Sequence, residues 1–344
     1  MGYEMNIFDV KVNMNHDGKE AEEPRYITPP RLAIIVPCYN EEQVFNNCRE
    51  ILENIIVDLS KKNLIKNNSY IFFVDDGSKD NTWNLIKEAS LNSNKVRGIK
   101  LSRNQGHQIA LLSGLKEVES DITISIDADL QDDTSVIETM IKQYLNGSDI
   151  VYGVRNDRKS DSFFKRKTAG AFYKIMKWMG VEQIPHHADF RLLNKRAKDA
   201  LLSYKEQSLY LRGLVPLVGF ESSQVEYSRS ARTAGESKYP LSKMLSLAIS
   251  GVTSLTVTPL RIIAALGFII SGISVMAALY ALYEKMCGNT VEGWTSVMIA
   301  IIFLGGVQML SLGVIGEYVG KIYLETKNRP KYFVEKRTSD NDSV

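Results

Sequence analysis

An α/β fold with an open, mostly parallel sheet, followed by two helices that cross a membrane, is what this sequence predicts, on three observations. Short β-rich runs alternate with longer helical stretches between Leu32 and Val154. The polar clusters fall where those runs end, at the edge where open α/β sheets bind ligands. Two long stretches near the C-terminus carry no charged residue.

Residues 1–29 mix charges, Asn and aromatics without a period and lead into Pro29-Pro30, the pattern of a peripheral arm. A domain is expected over 30–239. Its strands LAIIV, YIFFV, VRGIKL, ITISI and DIVYGV are largely apolar, as suits strands covered by helices on both faces, and Val44–Leu59 and Ile109–Val118 have helical spacing. The segment SDSFFKRKTAGAFYKIMKWMG interleaves Phe163, Phe164, Phe172, Tyr173, Met176 and Met179 with Lys165, Arg166, Lys167, Lys174 and Lys177, which reads as a basic amphipathic helix in a headgroup layer. Residues 240–260 read as a second, juxtamembrane amphipathic helix.

Ile262–Tyr283 and Trp294–Gly316 are each long enough to span a bilayer, in a hairpin over 261–317. Lys238, Lys243 and Arg261 precede the hairpin, and Lys321, Lys327, Arg329, Lys331, Lys336 and Arg337 follow it; the connecting loop holds Glu284, Lys285 and Glu292. Basic flanks stay in the cytoplasm, so the domain and the 318–344 tail are expected there.

The 344 residues carry a net charge of +2 and three cysteines, without the spacing of a disulfide framework or a zinc site. Nothing in the charge pattern calls for nucleic acid. Neither GxGxxG after the first strand nor GxxxxGK[ST] anywhere is present, which sets aside dinucleotide enzymes and P-loop NTPases. The strand ends carry PCYNEE, DDGSKDNT, SRNQGHQ and DADLQDD instead. Such carboxylates repel a phosphate unless a divalent cation lies between them. Asp127, Asp129 and Gln131, at alternate positions leaving a strand, offer oxygens in one direction, and an oxygen-only set favours Mg²⁺ or Mn²⁺. Asp132 and Asp133 equally suit a helix N-cap. His186 and His187 are adjacent, point apart on a strand and lack a third ligand, so they receive no metal role; His107 is expected to face the site as a hydrogen-bonding group.

VPCYNEE, VDDGSKDNT, SRNQGH, DADLQDD, ADFRLLNK and RTAGESKY, in this order and followed by two spans ending GEYVGKIYLETKNRPKY, resemble the polyprenyl-phosphate glycosyltransferases over residues 31–333. These are inverting enzymes of the GT-A fold, related to dolichyl-phosphate mannose synthase and the bactoprenol glucosyltransferases. The resemblance implies that Pro37, Tyr39, Asn40, Glu41, Asp76, Ser78, Asp127 and Ala128 hold the nucleotide sugar, and that Arg232 and Lys238 clamp its diphosphate from a closing loop. It implies that Asp127, Asp129 and Gln131 serve the metal, that Asp129 and Asp189 act at the reaction centre, and that Arg155, with Lys165, Arg166 and Thr168, meets the acceptor phosphate. Asp189 reads equally as a turn residue paired with Arg191.

The expected reaction is transfer of a sugar, glucose from UDP-glucose by analogy, to undecaprenyl or another polyprenyl phosphate at the cytoplasmic face of the cell membrane, for a cell-envelope glycan or protein glycosylation. UDP-GlcNAc and UDP-galactose stand close behind as donors. A homo-oligomer, such as a tetramer, is implied as well. LQDDT in place of a proline pair, Ala188 in place of Gly and the NQGHQIA loop depart from the family pattern and bear on the donor sugar. A processive polysaccharide synthase shares the fold, but Trp83, Trp178 and Trp294 lack a QxxRW context. A non-enzymatic nucleotide-sugar-binding membrane protein is the remaining alternative; Gln308 and Glu317 offer too little polarity for a translocation path.

Overall fold

A computed structural model describes residues 28–155, 187–207, 210–228, 256–287 and 293–340. The expected rhythm is present in its first half: β1 (Leu32–Cys38), α1 (Phe45–Lys61), β2 (Tyr70–Asp75), α2 (Thr82–Asn92), β3 (Val96–Leu101), α3 (His107–Glu117), β4 (Ile122–Ser125), a short 3₁₀ turn (Thr134–Val136), α4 (Ile137–Leu145) and β5 (Ile150–Arg155). There follow β6 (His187–Asn194), α5 (Lys195–Ser203), α6 (Leu211–Leu217), β7 (Ser222–Tyr227), α7 (Thr258–Met286), α8 (Trp294–Lys327) and β8 (Val334–Arg337).

All eight strands form one sheet in the order β7-β5-β6-β4-β1-β2-β3-β8. β1 to β4 are parallel, and the strand order reverses between β1 and β4, which leaves a crevice beyond their C-terminal ends. β6 runs antiparallel between β4 and β5, so the sheet is mixed there. Alternation along β1 builds two cores. Leu32, Ile34 and Val36 face Phe45, Leu52 and Ile56 of α1 together with Ile137 and Met140 of α4. Ala33 and Ile35 join the opposite cluster, with Leu111 and Leu115 of α3, Leu201 of α5 and Leu214 of α6. This helix–sheet–helix sandwich is the GT-A-like arrangement, and it fixes the crevice at one rigid edge.

The C-terminal hairpin is different in kind. α7 and α8 are long and apolar enough to cross a membrane, and side chains such as Phe268, Ile273, Met276, Leu310 and Val319 are exposed along them. Apolar surface all round a helix calls for lipid. The 34 residues of α8 reach about 50 Å, against about 30 Å of hydrocarbon, so the helix runs on past Gly316 to Lys327. Beyond it the chain returns to the sheet, where β8 pairs antiparallel with β3 and Thr338 exchanges hydrogen bonds with Gly98.

Candidate active site

The loops after β1 and β2 are stitched to each other. The Asn40 N–H donates to Ser78 Oγ at 2.9 Å, Asn40 Oδ1 accepts from the Lys79 N–H, and the Glu41 N–H donates to Thr82 Oγ1. Asn40 adopts a positive φ of 55°, a left-handed turn that Asn tolerates. Gly77 has φ 68°, and a Cβ there would lie 2.6 Å from the Arg103 carbonyl carbon, so the β2 and β3 loops approach through a position only glycine fills. Pro37 is buried within β1, while Tyr39 presents an exposed ring beside the crevice.

Asp76, expected at the nucleoside, is buried and clamps the β3 loop: its two oxygens accept from the Gln105 and Gly106 N–H groups, each at 2.8 Å. Burial pushes its pKa up, against those two hydrogen bonds and nearby His107. Ser78 is likewise buried, its N–H donating to Asp75 Oδ1.

The DADLQ turn follows β4 across the crevice. Leu130 is left-handed at φ 44°, and its N–H returns to the Asp127 carbonyl. This tight turn leaves the Asp129 carboxylate exposed, Asp127 half-buried and Ala128 buried between them. Burial, opposed by nearby His107 and reinforced by Asp189, Asp132 and Asp129, raises the pKa of Asp127. Burial and then Asp129, Asp127 and Asp80 raise that of Glu41. The acids thus repel one another across the crevice.

A hard divalent cation fits this set. Gln131 Oε1 is buried and, among the described residues, without a hydrogen-bond partner, while Asp127 and Asp129 repel each other, a repulsion that a cation would remove. Among the described residues no three His, Cys, Asp or Glu side chains converge as a cage. A cation held here would take two carboxylates and one amide oxygen from Asp127, Asp129 and Gln131, a set suited to an ion that keeps water and substrate oxygens for its other positions.

Asp189 lies on the neighbouring antiparallel strand β6, tied to β4 by the Ser125 hydroxyl, which donates to the Asp189 carbonyl. Its carboxylate meets the buried Arg191 guanidinium, Arg212 Nη2 at 3.1 Å and His107 Nε2 at 3.5 Å. Burial alone would raise its pKa; the His107 hydrogen bond and the two arginines outweigh it and hold the carboxyl well below its usual range. His107 Nε2 also lies 3.5 Å from Asp127 Oδ1 and so links the two acids. Arg155, at the end of β5, donates to buried Asp132 at 3.0 Å and 3.2 Å and to the Tyr227 hydroxyl at 3.2 Å.

The structure therefore brings Pro37, Tyr39, Asn40, Glu41, Asp76, Ser78, Asp127, Ala128, Asp129, Gln131, Arg155 and Asp189 to one sheet edge. Lys165, Arg166, Thr168, Arg232 and Lys238 lie outside the described residues, as do the basic amphipathic segment, most of the N-terminal arm and most of 240–260. Sequence reasoning missed Arg212, a lone cation in an apolar run. Of the two cap candidates, Asp133 caps the 3₁₀ turn, while Asp132 is the counter-ion of Arg155.

Comparison with known proteins adds an independent finding. The glycosyl transferase family 2 profile matches residues 33–213, and that of the GtrB C-terminal hairpin matches residues 258–322. The uncharacterized glycosyltransferase YkoT of Bacillus subtilis is 51% identical over 308 residues, 89% of this chain and 91% of that protein. The SfII prophage-derived bactoprenol glucosyl transferase of Shigella flexneri is 35% identical over 317 residues, 90% of this chain and 99% of that one. Among solved structures, a mannosyltransferase from Pyrobaculum calidifontis in complex with GDP-Man and Mn²⁺ is similar with a TM-score of 0.45 at 16% identity, over 90% of each chain.

Proposed function

Because this chain belongs to glycosyl transferase family 2 and carries the GtrB C-terminal hairpin, we propose that it transfers glucose from UDP-glucose to a polyprenyl phosphate, with inversion, at the cytoplasmic membrane face. The observation that carries the reading is the DADLQ turn at the strand-order reversal, with the stitched β1–β2 loops on one side and Asp189 and Arg155 on the other. A site so divided has room for a donor and an acceptor to meet in line. The bactoprenol name of the Shigella relative supports a polyprenyl acceptor and glucose as the sugar.

On the donor side, Tyr39 and Glu41 line the nucleoside groove, and Arg232 and Lys238 are the cations suited to the diphosphate. A divalent cation held by Asp127, Asp129 and Gln131 would neutralise charge on the departing diphosphate. The acceptor phosphate has a second pKa of about 6, so it arrives as a nucleophile that needs no base. Its oxygen forms a bond to the anomeric carbon as the bond to the nucleoside diphosphate breaks, and the electron pair leaves with the diphosphate. Asp189, already ionised and paired, is a poor proton acceptor and positions the sugar. Arg155, with Lys165, Arg166 and Thr168, receives the lipid phosphate.

α7 and α8 then anchor the domain to the bilayer that holds the acceptor, and packing between hairpins of several copies would give a homo-oligomer. Membranes containing the protein, incubated with labelled UDP-glucose and undecaprenyl phosphate, should yield a lipid-soluble, mild-acid-labile labelled product. Absence of such a product across a panel of nucleotide sugars would sink the proposal.

A further inference from the structure

Asp189 has more cationic partners than one carboxylate requires. Arg191, with a side chain 3% exposed, is its buried counter-ion, and His107 approaches the other oxygen. Arg212 adds a second guanidinium, Nη2 3.1 Å from Oδ2 and Nε 3.4 Å from Oδ1. Yet the Arg212 side chain is 43% exposed, and among the described residues its Nη1 amino group meets no acceptor. A guanidinium held by its inner edge with the outer edge open is shaped to receive a second anion.

Arg155 repeats the arrangement on the adjacent strand. Asp132 and Tyr227 hold its guanidinium, and the side chain remains 29% exposed. Burial and the nearby Arg155 charge oppose the Arg212 charge and Asp189 outweighs both, so two guanidiniums stay cationic on this side of the site, where one dianion could meet both.

Strand order identifies the anion. The nucleoside groove belongs to β1 and β2 and the acid turn to β4, while both arginines stand on the β5–β6 side of that turn. Inversion requires nucleophile and leaving group on opposite faces of the anomeric carbon, so the arginine side is the nucleophile's side. The loop leading to Arg212 is also fixed to the emerging end of α8, where the Gln207 N–H donates to Glu325 Oε1 at 2.7 Å.

We propose that Arg212 binds the phosphate of the lipid acceptor alongside Arg155, as a second guanidinium on the acceptor side of the site. This rests on the polyprenyl-phosphate reading. The test uses the full-length protein in nanodiscs, with Arg212→Ala and Arg212→Lys measured for transfer kinetics, UDP-glucose binding and melting temperature. Arg212→Ala should raise the KM for polyprenyl phosphate about tenfold or more, with donor binding unchanged. Arg212→Lys should fall between, keeping the charge but losing the fork, and it decides alone if the alanine variant does not fold. An active wild type whose variants keep the acceptor KM and lose only kcat would overturn the assignment and leave Arg212 as a support for Asp189. A wild type that makes no lipid-linked sugar from any nucleotide sugar would overturn the acceptor reading itself.

Discussion

Asp189 sits 8% exposed between Arg191, Arg212 and His107, and its charge is therefore part of the fold as well as of the site. A carboxyl held below its unfolded value contributes stability that is fully present above that value, about pH 4, and is lost as pH falls through the folded pKa. Asp189→Asn leaves Arg191 buried without a counter-charge, which should cost about 3–5 kcal/mol in denaturant melts at pH 7. The variant should also lose stability less steeply than the wild type below pH 4. Asp129 behaves oppositely, since it is exposed and, among the described residues, its carboxylate accepts only a 3.3 Å hydrogen bond from the Gln131 N–H. Mg²⁺ or Mn²⁺ should raise the melting temperature of the wild type, by an equivalent of about 2.7 kcal/mol at a hundredfold excess over Kd. Asp129→Asn should keep the metal-free melting temperature and lose that shift. The place of Asp127, Asp129 and Gln131 just beyond β4 could be read from the sequence because an apolar run ends there. Arg212 could not, because YLRGL carries no period that marks its cation as facing a site 23 residues away in the chain.

At the level of elements, α3 carries His107 to the crevice and owes its depth to Gly114. A Cβ there would lie 2.5 Å from Ile35 Cγ2 and 3.0 Å from Val74 Cγ2, so Gly114→Ala must push the helix off the sheet. Thermal melts should show a loss of about 1–3 kcal/mol, and transfer should fall with it as His107 leaves Asp127 and Asp189. The first five strands were readable because each is a short, largely apolar run closed by a polar loop. β6 hides Asp189 and Arg191 as a buried pair within ADFRLLN, so charge masks its central place in the sheet. β8 is VEKR, an edge strand whose polar composition reads as a solvated tail and whose partner lies more than 200 residues back. Only the pairing to β3 reveals it.

For the molecule as a whole, β3 and β8 share one sheet although α7 and α8 lie between them in sequence, so a hairpin that crosses a bilayer would have both its ends on one side. Cys38 and Cys48 are buried and Cys287, in the link between the two helices, is exposed, so the chain carries a natural reporter of its topology. A membrane-impermeant maleimide added to intact spheroplasts should label Cys287 and lose that label in Cys287→Ser; labelling only after lysis would reverse the cytoplasmic orientation. Synthesis order gives the late strand a further meaning. Val334–Arg337 emerge from the ribosome after both apolar helices, so the sheet gains its outer neighbour only once the hairpin has been made. A chain whose hairpin inserted wrongly would strand those four residues across the lipid and leave β3 with an open edge, an aggregation-prone state.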